Sequence, residues 1–81
     1  MESKYLVFDK YIGQDGKLPI YEVKNKATLD SLGAIYFYSG RHKYVFESIP
    51  QIVYDADYLI DIAKFLHEVQ NELEGELKND E

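Results

Sequence analysis

The chain has 81 residues, no Cys, no Trp and a formal charge of −6. That length holds a single domain with a thin core, since a chain near this size buries only about 60% of its unfolded surface. Disulfides, thiol nucleophiles and cysteine metal sites are excluded, and no apolar run approaches the roughly 20 residues that span a bilayer. Residues 4–12 are rich in aromatic and β-branched side chains and predict a first strand, with Leu6 and Phe8 on one face and Tyr5 and Val7 on the other. Gly13-Gln14-Asp15-Gly16 predicts a tight connection. Residues 18–24 predict a second strand, with Pro19 at its start or on a sheet edge because proline has no N–H to pair.

After a turn over 25–31, residues 32–38 give the strongest strand pattern. Ile35 and Phe37 point one way, and Ala34, Tyr36 and Tyr38 the other. Ser39-Gly40-Arg41-His42 predicts a hairpin connection, and residues 43–47 return with Tyr44 and Phe46 on one face. Ile52-Val53-Tyr54 predicts a short extended piece beyond Pro50. The remainder predicts a helix capped by Asp55 or Asp57, whose carboxylates suit the positive end of the helix dipole. Leu59, Ile62, Leu66, Val69 and Leu73 recur at helical spacing, widened by Tyr58 and Phe65, while Asp61, Lys64, Glu68 and Glu72 fall on the other side. Gly75 predicts the stop. The expected fold is α+β, a small antiparallel β-meander of about four strands with one C-terminal helix on one face. Residues 1–75 make the domain, and 76–81 an acidic tail that frays.

The charge is unevenly placed. Residues 1–54 carry a net +1 and residues 55–81 a net −7. A basic footprint for nucleic acid is absent, and direct nucleic-acid binding is not expected. The acidic helix is read either as a solubilising face or as a surface for a basic protein partner, with Asp57, Asp61, Glu68, Glu72 and Glu74 as the candidate residues. One helix covers one face of a meander. Tyr5, Tyr36 and Tyr38, with Tyr21, are therefore expected on the uncovered face, as a contact for a second copy or a partner, or as amphipathic cover with wet hydroxyls.

Chemistry is sparse. Asp55, Asp57 and Asp61 have no Gly where a calcium loop needs one, and the segment is entering a helix, so no metal or cofactor is expected. His42 and His67 lie on different elements without metal-ligand spacing. No Gly-x-Ser-x-Gly, phosphate-binding or dinucleotide-binding loop occurs, and with no nucleophile, base and stabiliser together the chain is not expected to be an enzyme. Arg41, His42 and Lys43 form the one local basic cluster, beside Tyr38 and Tyr44, and are the candidate site for a small anion. The alternative is a solvated hairpin tip. Lys24 and Lys26 join that cluster only if the fold brings them near.

Val23-Lys24-Asn25-Lys26, Leu32-Gly33-Ala34-Ile35-Tyr36-Phe37-Tyr38, Tyr44-Val45-Phe46, Tyr54-Asp55 and the helix run Leu59 to Leu66 together resemble a family of small bacterial and phage-type proteins. The resemblance covers about residues 21–70. Where that family carries Trp-Arg at the hairpin, this chain has Arg41-His42. The resemblance implies a phage or mobile-element protein acting in the cytoplasm of a bacterial host, by binding rather than chemistry. The expected function is an inhibitor of a host defence protein with a basic surface, in the manner of an anti-CRISPR. The alternative is a homo-oligomer, in the simplest case a homodimer, that sequesters a small anionic ligand such as a signalling nucleotide. No membrane contact is expected, and Met1-Glu2-Ser3-Lys4 does not read as a signal peptide.

Overall fold

The computed structural model describes residues 2–13 and 17–79, with side chains as far as Glu76. Four strands, β1 (Leu6–Tyr11), β2 (Ile20–Asn25), β3 (Ser31–Tyr38) and β4 (Lys43–Ser48), form an antiparallel sheet in the order β1-β2-β3-β4, followed by one helix, α1 (Ala56–Asn79). The fold is the expected α+β meander with a single C-terminal helix. The predicted Gly13–Gly16 connection lies mostly outside the described residues. The extended piece expected over 52–54 joins no strand: those residues are irregular, and Tyr54 serves as an anchor. Its ring meets Phe46 edge-on, and its hydroxyl donates to the Leu32 carbonyl at 3.1 Å.

Register sets the faces. Phe8 lies opposite Val23, Tyr21 opposite Ile35, and Ile35 opposite Phe46, so these side chains share the face that α1 covers. Between β2 and β3 the ladder shifts: Val23 faces Gly33 while Lys24 faces Ser31, leaving Leu32 as an extra residue. Leu32 is buried. Gly33, at φ 157°, lets the distorted strand lie against β4, since a Cβ there would run into the Glu47 carbonyl oxygen.

The helix is fastened by rings. Phe65 stacks on Phe8 with centroids 4.1 Å apart and planes 7° from parallel, and meets Tyr21 edge-on at 5.0 Å. Tyr21 in turn contacts Tyr44, and Tyr44 contacts Phe37. Ile62, Phe65 and Val69 are the buried centre of the helical stripe, while Leu59, expected within it, is 51% exposed. The stripe is therefore centred nearer the Tyr58, Ile62, Phe65, Val69 row than the leucine pattern suggested.

The start of the helix has a local cause. Asp55 is the N-cap, its Oδ1 accepting from the Tyr58 N–H at 3.1 Å, and Asp57 sits in the first turn. Gly75 does not end the helix, which continues to Asn79. Its neighbours Glu74, Glu76, Leu77 and Lys78 favour helix strongly enough to absorb one glycine. The end of the predicted tail, Asp80 and Glu81, lies outside the described residues.

The start of the chain is tied to the helix by Ser3, which is buried. Its hydroxyl donates to Asp61 Oδ2 at 2.5 Å and accepts from the N–H groups of Tyr5 and Leu6. Lys26 Nζ donates to the Ser3 carbonyl at 2.9 Å.

Phe65→Ala removes the ring that joins helix to sheet and is expected to cost about 3–5 kcal/mol in a urea titration. Gly75→Ala, where a Cβ meets nothing, is expected to raise stability by about 0.5–1 kcal/mol. A neutral or destabilising result at Gly75 would show that the last turn is not helical in solution.

Candidate functional site

The sequence offers three sets of candidate residues, and the fold treats them differently. The first is the aromatic face. Tyr36 and Tyr38 lie on the uncovered side of β3 as expected, with Tyr38 exposed. Tyr21 does not. It is 6% exposed and sits under α1, because β2 alternates with Ile20, Glu22 and Lys24 outward and Tyr21 and Val23 inward. Tyr5 is also displaced. β1 begins only at Leu6, and the bend before it, held by Ser3, sends the Tyr5 ring edge-on to Tyr58 of the helix at 5.5 Å.

In place of a tyrosine sheet, the uncovered face is a polar lattice with an apolar hollow. Asp9 and Glu22 are directly opposed in register. Like charges so placed repel, and Lys24 reconciles them, its Nζ 2.9 Å from Asp9 and 3.5 Å from Glu22. The hydrogen bond to Asp9 is the main cause of a raised Lys24 pKa. Glu22 is held below the usual carboxylate range, first by the Ser31 hydroxyl and then by Tyr11 and Lys24, against an opposing effect of desolvation. Tyr36 donates to Glu47 at 3.4 Å. Beside this lattice, Tyr11, Ile20, Ala34, Ile49 and Pro50 border a shallow hollow of about 710 Å³.

The second set is the basic hairpin. The Tyr38 carbonyl accepts from the Arg41 N–H, and the Ser39 carbonyl from the His42 N–H. Arg41 borders a hollow of about 230 Å³ with Tyr36, Tyr38 and Glu47. Lys43 instead lines a groove of about 400 Å³ against the helix, with His67, Gln70 and Glu74. The cluster is thus divided, and Glu47 places a carboxylate where an anion would sit. Lys24 and Lys26 do not join it. They lie toward the opposite end of the sheet, engaged with Asp9 and Ser3.

The third set is the acidic helix. At about 100° per residue, Asp57, Asp61, Glu68 and Glu72 fall within about 60° of one another along one flank of α1. Glu74 belongs to the other flank, where Gln70 donates to it at 3.4 Å. Asp61 is also more than surface charge, being held by Ser3. The acids reach the core electrostatically. Burial, then the neighbouring Tyr21, Glu76 and Glu72, push the Tyr44 hydroxyl up to about 12, and burial followed by Glu72, Glu76 and Glu68 raises that of Tyr21. Gln70, which sequence patterning passed over, closes the exposed edge of β4. Its Oε1 accepts from the Tyr44 N–H at 2.9 Å and satisfies a donor that no strand pairs.

Among the described residues, no three His, Asp or Glu side chains gather closely enough to hold a metal ion, and no helix is long and apolar enough to cross a membrane. No family model, curated protein or solved structure matches the chain.

The raised tyrosines fix the sign of an alkaline transition. Their protonated forms are favoured in the folded state, so their contribution is whole below the unfolded value of 10.0 and is lost as pH rises through about 12. Tyr44 also loses its donation to the Pro19 carbonyl on ionising. Tyr44→Phe is therefore expected to flatten the fall in stability across that window, read by urea titrations at several pH values. Tyrosinate absorbance showing all tyrosines ionising together, with the fold intact, would contradict this.

Proposed function

We propose that this protein is a non-enzymatic antagonist that binds a basic protein surface through the acidic flank of α1. The context suggested by the family resemblance is inhibition of a bacterial host defence component, such as a CRISPR effector, by a phage or mobile element. The observation that carries the reading is the placement of Asp57, Asp61, Glu68 and Glu72 on one flank of one helix. A run of like charge on a rigid rod focuses potential and steers a basic partner into register. Lys64 interrupts the row, and Glu74 takes no part in it.

A second reading has one observation behind it. Arg41, Tyr36 and Tyr38 border the same hollow, the arrangement a stacked, negatively charged nucleotide would use. Glu47 weighs against it. Calorimetric titration with a panel of nucleotides separates the two readings, and absence of heat with folded protein removes the second.

For the first reading, the test is inhibition of DNA binding by a panel of purified CRISPR effectors. The wild-type chain is expected to block one of them, with an effect that weakens as salt rises. The Glu68→Lys, Glu72→Lys double variant, which leaves the Ser3–Asp61 tie in place, is expected to bind at least about tenfold more weakly. Equal inhibition by wild type and variant would sink the acidic-flank reading.

A further inference from the structure

The two edges of the sheet are treated differently. At β4, Gln70 takes the outward N–H of Tyr44. At β1, the other edge strand, β2 is the one neighbour among the described strands. The Tyr5 carbonyl accepts from the Lys26 N–H on the β2 side, and the Leu6 N–H turns the other way, to the Ser3 hydroxyl at 3.0 Å. In an antiparallel ladder this alternation continues along the strand. Phe8 and Lys10 therefore direct their N–H and C=O groups outward, away from β2.

The same edge lies beside the acidic flank of the helix. Asp61 reaches its start, through the Ser3 hydroxyl that also holds Leu6. Phe65 stacks on Phe8 at its middle. Glu72 borders a small hollow with Lys10 toward its end. Thus α1 runs alongside β1 in the same direction, covering about 16 Å from Asp61 to Glu72 against about 13 Å from Leu6 to Lys10. Glu68 shares that flank by helical phase. Lys10 is the one cation of β1, so carboxylates outnumber it along this edge.

We propose that the outer edge of β1 receives an extended segment of the partner as a fifth strand, with Lys or Arg at alternate positions. Main-chain hydrogen bonds to Phe8 and Lys10 fix its register. Every second side chain of the added strand then points to the helix side of the sheet, beside Asp61, Glu68 and Glu72. Basic residues at those positions meet the carboxylates. The inference rests on the antagonist reading and names the part of the basic partner that is gripped. Charge decides the occupant. Antiparallel pairing of β1 with β1 of a second copy, about a twofold axis, puts both helices over one face of the joined sheet. Acidic flank then confronts acidic flank. Pairing of β1 with β4 of another copy meets Gln70 at Tyr44. A basic chain has neither obstacle.

The probe is a labelled peptide of alternating Lys and Thr, about ten residues long to span the six of β1, titrated against the full chain by fluorescence anisotropy. It is expected to bind, and a peptide of the same composition with its lysines in one block to bind at least about fivefold more weakly. Saturating peptide is expected to slow amide exchange at Phe8 and Lys10 at least about tenfold. Lys10→Pro deletes an outward N–H that β2 does not use, at an exposed position. It is expected to keep the helicity and to lose at least about tenfold in affinity. Lys10→Ala, which keeps the N–H, is expected to bind at least as tightly as the wild type. No binding up to about 1 mM peptide, unchanged exchange at Phe8 and Lys10 at saturation, or a folded Lys10→Pro that binds like wild type each overturns the proposal. Should Lys10→Pro unfold, the exchange measurement decides. Inhibition of an effector that is lost in the Glu68→Lys, Glu72→Lys variant but kept in folded Lys10→Pro leaves the acidic-flank reading standing and removes the added strand. Protection of Phe8 and Lys10 without peptide, rising with protein concentration, gives the edge to a second copy and overturns the proposal.

Discussion

The ring of Phe65, stacked on Phe8 and edge-on to Tyr21, is the contact through which one helix holds four strands. The difficulty is one of width. Four strands place the outer pair about 14 Å apart, while a helix with its side chains is about 10–12 Å across. Short aliphatic residues would leave the margins of the sheet unfilled. Large rings solve this by reaching sideways: Phe8 from β1, Tyr21 from β2, Phe37 from β3, Tyr44 and Phe46 from β4. The unbroken series Phe8–Phe65–Tyr21–Tyr44–Phe37 crosses every strand. The abundance of aromatic residues in so short a chain is thus a consequence of covering a sheet with a single helix.

The same constraint explains the polar contacts at the margins. Where the helix passes the edges, backbone groups approach burial and need specific partners. Ser3 serves the start of β1 and draws Asp61 inward. Gln70 serves the β4 edge at Tyr44. Tyr54 serves the bulged start of β3 through the Leu32 carbonyl. On the side the helix cannot reach, the sheet is made compatible with water by the Asp9–Lys24–Glu22 lattice rather than by more apolar cover.

Strand order, the helix and the alternation of β3 and β4 were legible because period-2 and period-3.6 patterns are local properties of the chain. Tyr21 was not, since Ile20 and Tyr21 are adjacent apolar residues and alternation alone does not say which turns inward. Tyr5 was not, because its direction depends on a hydroxyl at Ser3 bonding across 58 residues to Asp61. Turn chemistry was partly hidden for a different reason. Among the described residues, Leu29, His42 and Gln51 take left-handed conformations without being glycine, so glycine as a marker pointed beside these sites of strain. The acidic flank was visible as composition, but its true membership, without Glu74 and with Asp61 half committed to the fold, required the helix phase.

That phase also explains how one helix comes to present two unlike surfaces. The core occupies less than half of its circumference, because only one sheet face is there to receive it. The remaining arc is mixed: Asp57, Asp61, Glu68 and Glu72 share one flank, while the opposite side carries the exposed Leu59 and Ile60 in its first turns and His67, Gln70 and Glu74 further along. A solubilising helix would spread charge over the whole arc, and a buried one would spread apolar residues. This helix does neither: the sheet encloses only the Ile62, Phe65 and Val69 row, and the composition of the remaining arc is left free of any demand from the core.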